Sequence, residues 1–119
     1  MRILAIDDNQ DVLNLMDEYL RGDGHDVIAT TCAKTGVKHI EAGGIDVLLT
    51  DILMPEMDGV EVIKTLRRNH SDLWIVAMSG GGSRLPANSA LTLSQAFGAD
   101  RTLYKPFKRN ELLAAIRPV

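Results

Sequence analysis

Five polar residues interrupt an otherwise apolar pattern along the chain: Asp7-Asp8, Asp51, Ser79 and Lys105. Brought together, three carboxylates repel, and at least one has its pKa raised unless a cation sits among them. A carboxylate cluster open to water suits a hard, oxygen-seeking ion, and Mg²⁺ keeps several waters while using few carboxylates. Lys105 adds a point charge able to hold a phosphoryl oxygen or to pair with Asp51. Ser79 offers a hydroxyl, and Gly80 beside it leaves room for a bulky anion. A carboxylate nucleophile, a divalent cation and an ammonium group together make a phosphoryl-transfer site, with Asp51 attacking in line to form an aspartyl phosphate.

These residues can act together only if the elements that carry them converge. Residues 2–6 (RILAI) predict a buried strand that ends at Asp7-Asp8. Over 10–21, Val12, Leu13, Leu15, Met16, Tyr19 and Leu20 recur near helical period, and Gly22 and Gly24 supply the stop. Residues 26–30 suit a second strand and 33–42 a second helix closed by Gly43-Gly44. The run 46–50 (DVLLT) has the continuous apolar character of a strand buried on both faces. Beyond Pro55 and Gly59, the residues Val60, Ile63, Leu66 and Arg67 mark a third helix. Asp58-Gly59 reads as its N-terminal turn, with Asp58 a candidate cap. Residues 73–78 form a fourth strand, followed by a glycine-rich stretch and a weaker helix near 88–97. A short strand at 101–104 and a helix at 109–117, with Leu112, Leu113 and Ile116 inward, complete the chain.

Five β-α units in succession imply an α/β fold with a parallel sheet, right-handed crossovers and helices on both faces. In such sheets ligands bind beyond the carboxyl ends of the strands, near the point where strand order reverses. Asp7-Asp8, Asp51, Ser79 and Lys105 all follow strands, so four distant segments are expected to meet at that edge.

The remaining features are bland. A chain of 119 residues has room for one domain, 1–119, with a core that needs no staples. A net charge of -3 argues against a direct nucleic-acid surface. Cys32 is the single cysteine, which excludes an internal disulfide and a cysteine zinc cage. No apolar run approaches the ~20 residues that span a bilayer, and no signal-peptide layout opens the chain, so a cytoplasmic protein without membrane contact is expected. His25, His39 and His70 read as solvated surface residues rather than a ligand set, Trp74 as a core-edge residue, and Asp46 and Asp100 as turn residues.

The set Asp7-Asp8, Asp51-Ile-Leu-Met-Pro-Glu-Met-Asp-Gly59, Ser79-Gly80 and Lys105-Pro106-Phe107 resembles the receiver domain of two-component response regulators, over essentially the whole chain. The resemblance implies a flavodoxin-like doubly wound five-stranded sheet of order 2-1-3-4-5 with five helices. It implies that Asp51 is the phosphoacceptor, Asp8 the direct Mg²⁺ ligand, Asp7 a ligand acting mainly through water, and the Leu53 backbone carbonyl a further ligand. It likewise implies that Lys105 binds the phosphoryl group, that Ser79 is the switch hydroxyl, and that the bond before Pro106 is cis. The implied partners are a histidine kinase or phosphotransfer protein and a downstream protein target, with the chain a monomer or a phosphorylation-linked dimer.

Two departures stand out. The family usually carries Phe or Tyr three residues before the lysine, where this chain has Thr102; Tyr104 lies on the opposite face from Leu103 and is a candidate substitute. The stretch from Ser79 to Lys105 is also longer than usual, with the excess in Gly80-Gly-Gly-Ser-Arg-Leu-Pro86. This reads as a tolerated surface insertion, or as part of a partner-selective surface.

Other function classes fare worse. The glycine run lacks the Gly-Lys-Ser/Thr ending of a P-loop. A Mg²⁺-dependent phosphatase with an Asp nucleophile carries a second Asp two residues on, where Leu53 cannot transfer a proton. Leu53 also orients no water, so slow to moderate self-dephosphorylation is expected rather than enzyme activity. A degenerate receiver used as a phosphorylation-independent docking module remains the alternative. Met1 opens directly onto the first strand and Pro118-Val119 follow the last helix, so a stand-alone regulator is expected, with a domain of a longer chain the alternative.

Overall fold

The computed structural model of the chain describes residues 1–52, 59–79 and 98–117. Its strands are β1 (Arg2–Ile6), β2 (Asp26–Thr30), β3 (Val47–Asp51), β4 (Trp74–Ser79) and β5 (Arg101–Tyr104). The helices among the described residues are α1 (Gln10–Gly22), α2 (Ala33–Glu41), α3 (Gly59–Asn69) and α4 (Arg109–Ala115). The expected helix near 88–97, the Asp58 cap and the glycine-rich segment lie outside the described residues.

All strand pairs are parallel and the order is β2-β1-β3-β4-β5, the flavodoxin-like arrangement. Strands apolar on both faces must be covered on both, and alternation divides their side chains between two cores. Ile3, Ala5, Val47, Leu49 and Leu103 pack with Leu13, Met16 and Leu20 of α1, Leu112 of α4 and Ile116 just beyond it. Leu4, Ile6 and Leu48 face the other way, against Ile40 of α2 and Val62, Ile63 and Leu66 of α3. Strand order reverses about β1, so the crevice opens beyond the carboxyl ends of β1 and β3.

Local chemistry sets the boundaries. The Asn9 carboxamide oxygen accepts from the N–H groups of Asp11 (2.9 Å) and Val12 (3.4 Å) and starts α1 immediately after the acidic pair. Glu111 accepts the Lys108 N–H at 2.8 Å and starts α4. β3 and β4 each begin and end one residue later than the pattern predicts. Asp46 turns its carboxylate to the Arg2 N–H (2.8 Å) instead of opening β3. At the far end the ladder runs on through Ile52 N–H to Met78 C=O (3.1 Å) and Lys105 N–H to Ser79 C=O (2.9 Å). Asp51 and Ser79 are thus the last residues of their strands, on rigid backbone.

Four surface readings change. Leu15 is not in the buried stripe of α1 but is 37% exposed; Leu13, Met16 and Leu20 form that stripe. His25 is held, not solvated: Nε2 lies 3.0 Å from the Asp23 carboxylate and Nδ1 3.3 Å from the α-amino group of Met1. The Asp23 carboxyl is kept below the usual carboxylate range by that His25 hydrogen bond and by Arg117, which together outweigh desolvation. His39 and His70 are half-buried rather than solvated, although no histidine joins a metal-type cluster among the described residues. Asp100 is more than a turn residue, because its Oδ2 accepts from Arg67 and from the Ile75 N–H at 2.9 Å. Arg67 also donates to the carbonyls of Gly98 (2.9 Å), Ser71 (3.0 Å) and Leu73 (2.7 Å). Trp74 is half-buried as expected, its indole N–H on the Ala115 carbonyl at 2.9 Å.

Candidate functional site

Strand alternation delivers Asp7, Asp51 and Lys105 to one place. Asp7 keeps the phase of Ile3 and Ala5, Asp51 that of Val47 and Leu49, and Lys105 that of Leu103, so all three rise from the face covered by α1 and α4. The Lys105 ammonium donates to Asp7 Oδ2 at 2.8 Å and to Asp51 Oδ2 at 3.0 Å. Burial pulls the Lys105 pKa down, but its hydrogen bond to Asp7 and the charges of Asp51 and Asp7 outweigh this and raise it above the ordinary lysine value. The group is therefore a permanent cation at neutral pH.

The acidic pair is asymmetric. Asp7 is fully buried with both oxygens engaged, Oδ1 by the Asn9 N–H at 2.9 Å and Oδ2 by Lys105. Asp8 is exposed to water. The carboxylates of Asp7, Asp8 and Asp51 each offer an oxygen, and these atoms lie within 4.8 Å of one another. A hard divalent cation fits this donor set: oxygen ligands only, few carboxylates, and one side open to water.

Ser79 ends the neighbouring strand, and its buried Oγ has no hydrogen-bond partner among the described residues. A buried hydroxyl without a partner is uncommon in folded proteins. Thr102 stands in register with Ala77 and Tyr104 with Ser79. Tyr104 is 52% exposed, so here its ring faces solvent. The Lys105-Pro106 bond is cis, as the resemblance implied, and Phe107 is buried in the core. Leu53 and Gly80 lie outside the described residues.

Sequence reasoning missed Asn9 and Thr50. Asn9 had a legible signal, a capping residue just before an amphipathic run. The Thr50 hydroxyl, buried and donating to the Asp51 carbonyl at 3.1 Å, had none. A cleft of about 360 Å³ adjoins the site, lined by Asn9, Val12, Leu15, Lys105, Pro106 and Phe107. A second, of about 420 Å³ near Asp46, His70 and Asp72, shares no residue with the acidic cluster.

A doubly wound sheet with an acidic cluster and a lysine at its switch point defines a class of α/β domains whose ligand site lies beyond the carboxyl ends of the strands. The family model described as "Response regulator receiver domain" matches residues 3–117. The chain belongs to that family. It is 31% identical to the response regulator SaeR of Staphylococcus aureus (strain USA300) over 114 residues, covering 96% of this chain and 48% of the relative. The SaeR protein of Staphylococcus epidermidis is also 31% identical, over 93% of this chain and 46% of its own length. The chain thus spans about half the length of the curated relatives it matches. Among solved structures, a response regulator receiver domain protein from Clostridium thermocellum superposes with a TM-score of 0.87 at 26% identity, covering 97% of this chain and 90% of that one. A CheY-like receiver domain protein from Methanospirillum hungatei JF-1 gives 0.86 at 27% identity, with 97% and 89% covered. No helix among the described residues is long and apolar enough to cross a membrane.

Proposed function

We propose that this receiver domain is a phosphorylation-activated signalling switch. It accepts a phosphoryl group on Asp51 from a phosphohistidine of a histidine kinase or phosphotransfer protein. The observation that carries this reading is the Lys105 ammonium seated on both Asp7 and Asp51, beside three carboxylates whose oxygens converge. A carboxylate oxygen of Asp51 forms the new O–P bond, the N–P bond to the donor imidazole breaks, and the imidazole keeps the electron pair and takes up a proton. Lys105 holds Asp51 in place beforehand and binds a phosphoryl oxygen afterwards.

Asp8 and Asp51, with the Leu53 carbonyl, are the groups to hold Mg²⁺, and Asp7, with both oxygens occupied, acts through water. Bound there, Mg²⁺ supplies positive charge that neutralises the phosphoryl oxygens. The Ser79 hydroxyl is the group to turn toward the acquired phosphoryl oxygens, shifting a two-state equilibrium in the region that includes Gly80, Thr102, Tyr104 and Pro106. The output is altered binding to a protein target rather than turnover of a substrate. The cleft beside Lys105 supports a protein donor, because it offers apolar area within reach of the acceptor.

The test is intact-mass detection after incubation with acetyl phosphate and Mg²⁺, beside Asp51→Asn. A single added phosphoryl group, absent in the variant and absent without Mg²⁺, supports the reading. No adduct, with Mg²⁺ binding confirmed and beryllofluoride also without effect, points instead to a docking module that works without phosphate.

A further inference from the structure

We propose that Gly59 and Thr50 are positioning residues that clamp the main chain of Asp51 from behind; this rests on Asp51 being the acceptor. Gly59 opens α3, on the face of the sheet opposite to the Asp51 side chain. Its φ is not among the positive values found at Gly24, Gly43, Gly44 and Gly98, so the backbone conformation does not demand glycine there. Space does. A Cβ at Gly59 would lie 2.3 Å from Ile52 Cα, 2.7 Å from the Asp51 carbonyl oxygen and 2.9 Å from the Ile52 carbonyl carbon. All three are main-chain atoms, so no side chain can swing aside.

The main chain of Asp51 and Ile52 is gripped from several directions. The Thr50 hydroxyl donates to the Asp51 carbonyl at 3.1 Å, the Ile52 N–H donates to Met78 across the ladder at 3.1 Å, and the Gly59 N–H approaches the Ile52 carbonyl at 3.3 Å. The helix behind the clamp is itself fixed: Val62, Ile63 and Leu66 are buried, and Arg67 is tied to Gly98, Leu73 and Asp100. A methyl group at Gly59 therefore moves the peptide after Asp51 by about 1 Å, the difference between 2.3 Å and ordinary contact. Displacements of that size at a reacting group slow reactions by up to ~100-fold.

Gly36 supplies the matched control. It too is a tightly packed helical glycine, but a Cβ there would meet only the movable side chains of Ile6 and Leu4, and no main-chain atom of Asp51 or Ile52. The experiment compares wild type, Gly59→Ala, Gly36→Ala and Thr50→Val. It reads the rate of adduct formation from acetyl phosphate at saturating Mg²⁺, and Mg²⁺ affinity by calorimetry without donor, all well below each protein's Tm. We expect Gly59→Ala to slow adduct formation at least tenfold and to weaken Mg²⁺ binding. Thr50→Val should slow it about threefold, and Gly36→Ala should stay within twofold whatever its loss in Tm. Wild-type rate and affinity in Gly59→Ala, or equal slowing in Gly36→Ala, overturns the clamp. If Gly59→Ala does not fold, Thr50→Val decides: slower chemistry at unchanged Tm supports the clamp, and an unchanged rate overturns it. If wild type takes up no phosphoryl group, the acceptor reading fails, and the Mg²⁺ affinities alone then decide the clamp.

Discussion

Replacing Lys105 by Met keeps the side-chain length and removes the charge that bridges Asp7 and Asp51. Asp7 is fully buried and Asp51 nearly so, while the Lys105 side chain is 16% exposed. Removing one partner of a buried ion pair costs about 3–5 kcal/mol, since the other charge is left without compensation. Here two carboxylates lose their shared cation, but exposed Asp8 marks a side open to water, so the lower end, about 3 kcal/mol, is expected. For a domain of this size that lowers Tm by roughly 10 °C. The assay is urea unfolding followed by the fluorescence of half-buried Trp74, first in EDTA and then in millimolar Mg²⁺. In EDTA the variant should lose about 3 kcal/mol; Mg²⁺ should stabilise it more than it stabilises wild type, because ion and ammonium neutralise the same carboxylates. A variant within 1 kcal/mol of wild type in EDTA, or a stability gap that Mg²⁺ leaves unchanged, refutes the reasoning. Asp51 should still accept phosphate in Lys105→Met, with the conformational response to beryllofluoride blunted.

The Lys105 pKa is raised in the folded state, so its stabilisation is complete below the ordinary lysine value of ~10.4 and is lost as pH rises through the higher folded value. The stability gap between wild type and Lys105→Met should therefore be flat from pH 7 to 10 and shrink above that, as followed by denaturant titration at each pH. Arg67→Ala removes the counter-charge of the Asp100 carboxylate, which keeps only the Ile75 N–H, and the donors of three carbonyl oxygens, and should destabilise by about 2–3 kcal/mol in thermal unfolding. Its adduct formation at 20 °C should stay within threefold of wild type. Asn9→Ala removes the α1 cap and should lower stability by about 1 kcal/mol. Because the N–H on Asp7 belongs to the residue 9 backbone, Mg²⁺ affinity in that variant should stay within twofold.

The elements were legible because the strands are short apolar runs and the helices carry a helical stripe, and a parallel sheet needs both. The convergence of Asp7, Asp51 and Lys105 was legible for the same reason, since each ends a strand in the phase of its core residues. What escaped is what depends on single directional bonds. The engagement of both Asp7 oxygens comes from one backbone N–H and one ammonium in space, and neither sequence spacing nor residue type reveals it. Arg67 sits on a helix face like any other arginine, and its four acceptors come from loops that no periodicity describes. Leu15 was assigned inward because its period is nearly right, but the groove beside Pro106 leaves it uncovered.

The asymmetry of the acidic pair has an evolutionary reading. On the proposed function Asp7 serves the fold and the chemistry at once: exchanging it leaves the Asn9 amide without its acceptor and the Lys105 ammonium with Asp51 as its remaining carboxylate. On the same proposal Asp8, exposed to water, serves the chemistry alone, and its exchange should have little effect on folding. Drift under relaxed selection should therefore run through position 8 first. A descendant that had abandoned phosphate but kept its shape would be recognised by an intact first aspartate beside a lost second one.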